Sequence, residues 1–256
     1  SDDGTTFFTH LYMGSQCKVE LGSTPVTLQT EANLPWSGDG SMTVRMDDAS
    51  ARFALAFRLP AWAGDADTAA AAVTTDAAVE REVRDGYLYL TGQWHDGDTV
   101  AFDFPMPVRM VAANTRVAAD AGQVAFVRGP ITFCAEGHDN GDLLANLLVD
   151  TSSVGLDASG VAVESFDFTS GASGVDERGT GAVEPVTRRM VRLEVPALRL
   201  AAPAETDDAA PVDAPRTALY HAWRPAAVTP ATATLIPYFV WANRGESEMR
   251  VWLNAK

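Results

Sequence analysis

The chain has 256 residues, 46% of them hydrophobic and 21% charged, enough to bury a sizeable core as one large domain or two ordinary ones. A formal net charge of −15 works against phosphate backbones and anionic membrane surfaces, so no nucleic-acid or membrane partner is expected. No apolar run has the length of a membrane span and no signal-peptide pattern opens the sequence; the sequence leaves the compartment open, with a cytoplasmic location favoured.

Taken in chain order, the hydrophobic period is two. Met42, Val44 and Met46 alternate with Thr43 and Arg45. Phe53, Leu55, Phe57 and Leu59 alternate with Ala54, Ala56 and Arg58. The run Ala69–Ala72 has helical propensity, but Val73-Thr-Thr75 follows it directly, so it reads as an extended edge or loop. Val100, Phe102 and Phe104 alternate again, as do Met249, Val251 and Leu253 near the end. Such a period places every second side chain on one sheet face. Turn sequences separate the runs: Trp36-Ser-Gly-Asp-Gly40, Asp85-Gly86, Asp96-Gly97-Asp98 and Asp139-Asn-Gly-Asp142. The short connections predict antiparallel pairing and an all-β fold of two consecutive antiparallel β-sandwich domains.

The domain boundary is expected after Pro105-Met-Pro107, near Ala112–Thr115, giving domains of 1–113 and 114–256, because proline lacks the donor a central ladder needs. Beyond it an alternating segment starts near Gln123. Gly141–Val149, with four leucines, suits one or two helical turns. Thr169–Glu184 is rich in Gly and Ser, and Ala201–Pro215 is built of Ala, Pro and Asp. Both read as surface insertions with too little apolar area to order themselves.

Few residues are spaced for chemistry. The two cysteines, Cys17 and Cys134, form neither a CxxC knuckle nor a disulfide framework. The four histidines, His10, His95, His138 and His221, stand far from one another. Cys134, Glu136, His138 and Asp139 come nearest to a ligand cluster, since 134, 136 and 138 share one side of a continuous strand. Glu136 with Asp139 is the carboxylate pair to inspect for hydrolysis, although 34 acidic residues make pairs inevitable. No Gly-x-Ser-x-Gly elbow and no phosphate loop occurs. Trp36, Trp62 and Trp94 lie beside turns, where they could stack on a sugar, whereas Trp241 and Trp252 sit in apolar stretches and read as core. Arg128-Gly-Pro130 and Asn243-Arg-Gly245 read as tight turns whose arginines can pair with carboxylates across a domain contact.

Three stretches resemble glycoside hydrolase family 127. Arg58-Leu-Pro-Ala-Trp-Ala63, followed by Gly86-Tyr87, Trp94, Gly97-Asp98 and Phe104-Pro-Met-Pro107, is similar to the family's middle domain. Gly122–Glu136, containing Val-Arg128-Gly-Pro-Ile, and then Asp139-Asn140, resemble its C-terminal domain, as does Leu235–Trp252 with Trp241-Ala-Asn243-Arg244-Gly245. Leu11-Tyr-Met-Gly14 and Leu34-Pro-Trp36 fit in order. The sequence departs from the family where an Asn-Gly turn is usual, at Ala69–Val79. The resemblance implies a β-L-arabinofuranosidase parent whose Cys nucleophile, Glu acid/base and zinc lie in an N-terminal (α/α)6 barrel. None of those residues maps onto this chain, so no catalytic residue, metal ligand or cofactor is expected within it. Its expected role is to support that barrel, with homo-oligomer contact as a further expected partner; a stand-alone carbohydrate-binding module is the alternative. Glu136, Asp139, Asn140, Arg128, Trp241, Asn243 and Arg244 are the candidates for substrate binding or a domain interface.

Overall fold

The computed structural model describes residues 1, 4–48, 50–170, 186–201 and 225–256. The expected insertions lie outside them, save Thr169, Ser170 and Ala201. The described chain forms two compact units, Ser1–Pro107 with Arg128–Pro130, and Val108–Val127 with Ile131–Lys256.

The first unit is a sandwich of two sheets. Its strands in order are β1 (Thr6–Thr9), β2 (Ser15–Leu21), β3 (Thr24–Ala32), β4 (Asp39–Arg45), β5 (Ala51–Arg58), β6 (Val73–Thr75), β7 (Val79–Arg84), β8 (Tyr87–Trp94) and β9 (Thr99–Asp103). One sheet runs β1-β5-β8-β7 and the other β2-β3-β4-β9-β6. The predicted alternation holds, because Phe53, Leu55 and Phe57 of the first sheet share one core with Leu28, Met42, Val44, Val100 and Phe102 of the second. Each large side chain taken fully from water contributes about 1.5–3 kcal/mol. Ala54 and Ala56, on the other face of β5, are buried too. Phe8 and Tyr89 flank Ala56 in register, and their rings meet edge to face at 5.9 Å. The small alanines leave room for these aromatics.

Asp85 and Gly86 both have positive φ, 51° and 78°, between the paired Arg84 and Tyr87. That is the two-residue turn whose twist suits a hairpin. Ser23 and Gly22 repeat it between β2 and β3. The run read as extended at Ala69–Ala72 is instead a short helix, α1 (Ala66–Ala71). Asp65 caps it by accepting from the Thr68 N–H at 2.8 Å, and Ala69 and Ala70 are buried. The cap and the buried alanines outweigh the β-branched residues that follow. Those residues then form β6.

The second unit contains β10 (Val108–Val111), β11 (Gln123–Arg128), β12 (Ile131–Glu136), β13 (Leu147–Val149), β14 (Ala162–Thr169), β15 (Thr187–Leu200), β16 (Val228–Pro237), β17 (Met249–Arg250) and β18 (Leu253–Ala255). Among the described residues their pairing closes into a ring through β11, β18, β13, β15, β16 and β12. Val191, Leu193, Val195 and Ala197 alternate inward along β15, opposite Ala233 and Leu235 of β16. The all-β, two-domain expectation stands. Two ladders, however, are parallel: β1 with β5 and β13 with β18. Gly141–Val149 contributes a single 3-10 turn at Leu144–Asn146 and then β13. The alternation at Met249–Leu253 is interrupted, since Val251 and Trp252 bend between β17 and β18.

Candidate functional site

The candidate residues converge where β12 ends. Strand β12 brings Cys134 and Glu136 to one buried face, both 0% exposed. The strand stops at Glu136 and a helical turn, α2 (Gly137–Asn140), follows. This break removes the period of two that would have carried His138 onto the same side. Asp139 and Asn140 instead ride on the turn.

Arg244, 108 residues away, closes the cluster. Its Nε donates to Glu136 Oε2 at 3.2 Å, and its Nη2 donates to the same oxygen. Nη1 and Nη2 donate to the two carboxylate oxygens of Asp139, at 2.9 and 2.5 Å. The guanidinium also lies over the Phe168 ring, 5.3 Å from its centre. Glu136 Oε1 accepts the Ala242 N–H at 2.9 Å. The bonds from Asp139 and then Glu136 hold the Arg244 pKa above its ordinary value, against the opposing effect of burial. The Cys134 thiol is pushed up to about 12, first by burial and then by the charge of Glu136.

Asn140 works as a piece of sheet. Its side-chain amide donates to the Thr234 carbonyl at 2.8 Å and accepts the Thr234 N–H at 2.9 Å, as a neighbouring strand would. It also donates to the Glu136 carbonyl at 3.0 Å. Arg199 reaches the Asn140 carbonyl at 2.5 Å. The segment after β16 is fastened to the same corner. The Glu248 carbonyl accepts the Gly137 N–H at 2.8 Å and its carboxylate accepts the Leu144 N–H at 2.9 Å. Ser247 Oγ accepts the His138 N–H at 3.1 Å. Among the described residues Asn243 bonds locally, donating from its side chain to the Val240 carbonyl at 3.1 Å.

This arrangement holds chain segments together. A hydrolytic carboxylate pair must leave room for a sugar between its members, and here one guanidinium fills that space. The same pairing removes Glu136 and Asp139 as zinc ligands. Among the described residues no group of three or more His, Cys, Asp or Glu is placed to hold a metal ion. The residues near Cys134 therefore do not fit a zinc site.

Arg128 lies apart from the cluster. It belongs to the first unit and donates from Nη1 to the Trp36 carbonyl at 2.8 Å, and burial lowers its pKa. Its partner is a carbonyl. The tryptophans also redistribute. Trp94, read as beside a turn, is fully buried and donates to the Phe53 carbonyl at 3.1 Å. Trp62 packs edge-on against Phe104 at 6.0 Å. Trp241, read as core, is 38% exposed, because a 3-10 turn at Tyr238–Val240 ends β16 before it. Sequence reasoning missed Glu248 and Ser247, whose side chains accept backbone N–H groups of Leu144 and His138, and Thr234, which binds Asn140 through its backbone; such contacts carry no spacing signal.

Residues 6–106 match the β-L-arabinofuranosidase GH127 middle domain, and residues 108–254 match the glycoside hydrolase family 127 C-terminal domain. A non-reducing end β-L-arabinofuranosidase of Bifidobacterium longum subsp. longum is 34% identical over 98% of this chain and 33% of its own length. A GH127 β-L-arabinofuranosidase from Geobacillus stearothermophilus T6 superposes with a TM-score of 0.73 at 30% identity, over 99% of this chain and 34% of that one. A further GH127 β-arabinofuranosidase shares the fold at a TM-score of 0.70 and 23% identity. The chain thus spans about a third of the length of these relatives. With both β domains matched in order over nearly every residue, the chain belongs to glycoside hydrolase family 127, as its middle and C-terminal domains.

Proposed function

We propose that this chain is the non-catalytic β region of a family 127 glycoside hydrolase, supporting a catalytic (α/α)6 barrel that precedes it. The barrel would carry out release of β-L-arabinofuranosyl units and hold the zinc, with no cofactor in the β region. The observation that carries the reading is the state of Glu136 and Asp139. The carboxylates best placed for chemistry are spent on Arg244, one of them fully buried. A general acid must present a proton to the leaving oxygen, and a nucleophile must face the anomeric carbon. A carboxylate that already accepts an arginine and a backbone N–H does neither. The relatives' activity then belongs to the two thirds of their length that this chain does not cover. Contact with a second copy of the parent is an additional role proposed for the same β region.

The test is hydrolysis of an aryl β-L-arabinofuranoside. The purified 256-residue chain should give no turnover above buffer, and Glu136→Gln should leave that unchanged. The chain joined behind its barrel should be active. Turnover by the isolated chain that disappears in Glu136→Gln would refute the reading. Heat of binding to an arabinoside panel, measured on the isolated chain, would favour a carbohydrate-binding module instead.

A further inference from the structure

Between β1 and β2 the backbone runs irregularly through His10–Gly14, and its side chains split in two directions. Tyr12 points inward. Its hydroxyl donates to the Arg58 carbonyl at 2.6 Å, and its ring packs on Phe102 and Phe104 at 4.8 and 4.9 Å. Its neighbours Leu11 and Met13 are left 64% and 54% exposed. Beside them lies a cleft of about 320 Å³, lined by Leu11, Tyr12, Met13, Leu34, Pro35 and Trp62 among others. Scattered exposed apolar residues need no explanation, but apolar side chains held out by an anchored backbone at the rim of an apolar cleft mark an interaction surface. Methionine, with its flexible thioether, suits a surface that must accept a partner's side chain.

The occupant follows from the domain order. Residues 6–106 correspond to the domain that the family calls its middle one, and the relatives are about three times this chain's length. A domain that precedes the middle one joins it near residue 6, so Leu11 and Met13 lie within a few residues of the junction. A tethered neighbour is held at high effective concentration. A small apolar patch is then sufficient to fix it, in the way that domain interfaces within one chain are smaller than those between free proteins.

We propose that the Leu11–Met13 segment and its cleft form the seat on which the preceding domain docks, taking an apolar side chain of that domain. The proposal deepens the supporting role argued above and rests on it. It commits this face to the tethered domain and not to a glycan or a second copy.

The experiment is cysteine accessibility in a Cys17→Ser background, where Cys134 is buried and slow to react. Met13→Cys, Tyr238→Cys and Leu156→Cys are labelled with a maleimide, first in the 256-residue chain and then in the full enzyme formed with the preceding domain. All three positions are exposed in the chain described. Met13→Cys should lose reactivity by at least about tenfold in the full enzyme, since access of the reagent governs thiol labelling. Labelling of Met13→Cys at equal rates in the two proteins, with another position protected, would overturn the seat while leaving the supporting role intact. Equal rates at all three positions would likewise overturn the seat. A concentration-dependent protection of Met13→Cys in the isolated chain would mean that a second copy covers this face, and the proposal would fail.

Discussion

Replacing Arg244 by methionine tests the cluster at β12 directly. Glu136 is fully buried, and Arg244 supplies its counter-charge from a position whose side chain is 22% exposed. Removal of one partner from a buried pair leaves an uncompensated charge, typically at about 3–5 kcal/mol. Asp139, at 20% exposure, can turn toward water, and the Ala242 N–H still binds Glu136. We therefore expect the low end, about 3 kcal/mol for Arg244→Met. The double variant Glu136→Gln/Arg244→Met should cost less than the sum of its singles, with a coupling of about 1–3 kcal/mol. Asp139→Asn, which keeps a hydrogen-bonding side chain at the rim, should cost roughly 1 kcal/mol. The assay is urea unfolding of the 256-residue chain, read by fluorescence at neutral pH. An Arg244→Met cost below about 1 kcal/mol with additive singles would refute the reasoning, because contacting groups in one network do not add.

Two further outcomes belong to the same corner. Ala242 holds positive φ, 63°, while it presents its N–H to Glu136; a left-handed L-residue costs roughly 1–2 kcal/mol, so Ala242→Gly should be neutral or stabilising in the same urea titration, and a clear loss of stability would contradict the strain. The Cys134 thiol, raised from 9.0 to about 12 in the fold, keeps its proton longer folded than unfolded. Its contribution is therefore complete below pH 9.0 and is lost as pH rises toward about 12. In Ellman titration at pH 8 the native chain should show Cys17 alone, with Cys134 appearing only on unfolding. Rapid reaction of both thiols in the native chain would show that the site is open.

The strands were legible because burial imposes a period of two, cleanest in β3 and β9; in β5 the period survives as large side chains alternating with small alanines that are buried as well. The sequence failed where a local feature overrode the pattern. At Ala66–Ala71 the Asp65 cap and two buried alanines stabilise a helix, and period counting does not weigh caps. At Trp252 the apolar run bends between two strands that pair with different neighbours, a tertiary fact with no local signature. The parallel β1–β5 and β13–β18 ladders likewise depend on connections that no turn signal reports. Among the candidate residues, the sequence named Glu136, Asp139, Asn140 and Arg244 but could not pair them. Arg244 stands more than 100 residues from both carboxylates, and only the fold brings them together. Arg128 belonged to the same family resemblance yet serves a different corner, because resemblance marks positions and says nothing of which positions meet.

That separation of position from partner bears on what these residues do in the fold. The turn residues Gly129 and Gly245 take φ of 53° and 109°, which suits glycine and strains other residues. The polar residues answer one another: Arg244 binds Glu136 and Asp139, and Asn140 extends the sheet to Thr234. These bonds fasten the stretch from Trp241 to Glu248 against the end of β12. From there the chain enters β17 on β12, crosses two residues, and enters β18 between β11 and β13. The clamp thus stands at the place where the last strands complete the ring of the second unit. A buried ion pair contributes little net stability against a well-packed apolar substitute. Its value here lies in register: a slip of one residue in β17 would withdraw Arg244 and leave Glu136 charged, buried and unpaired. The acidic pair Glu136 and Asp139, which drew attention in the sequence, is held by Arg244 where the last strands close the ring.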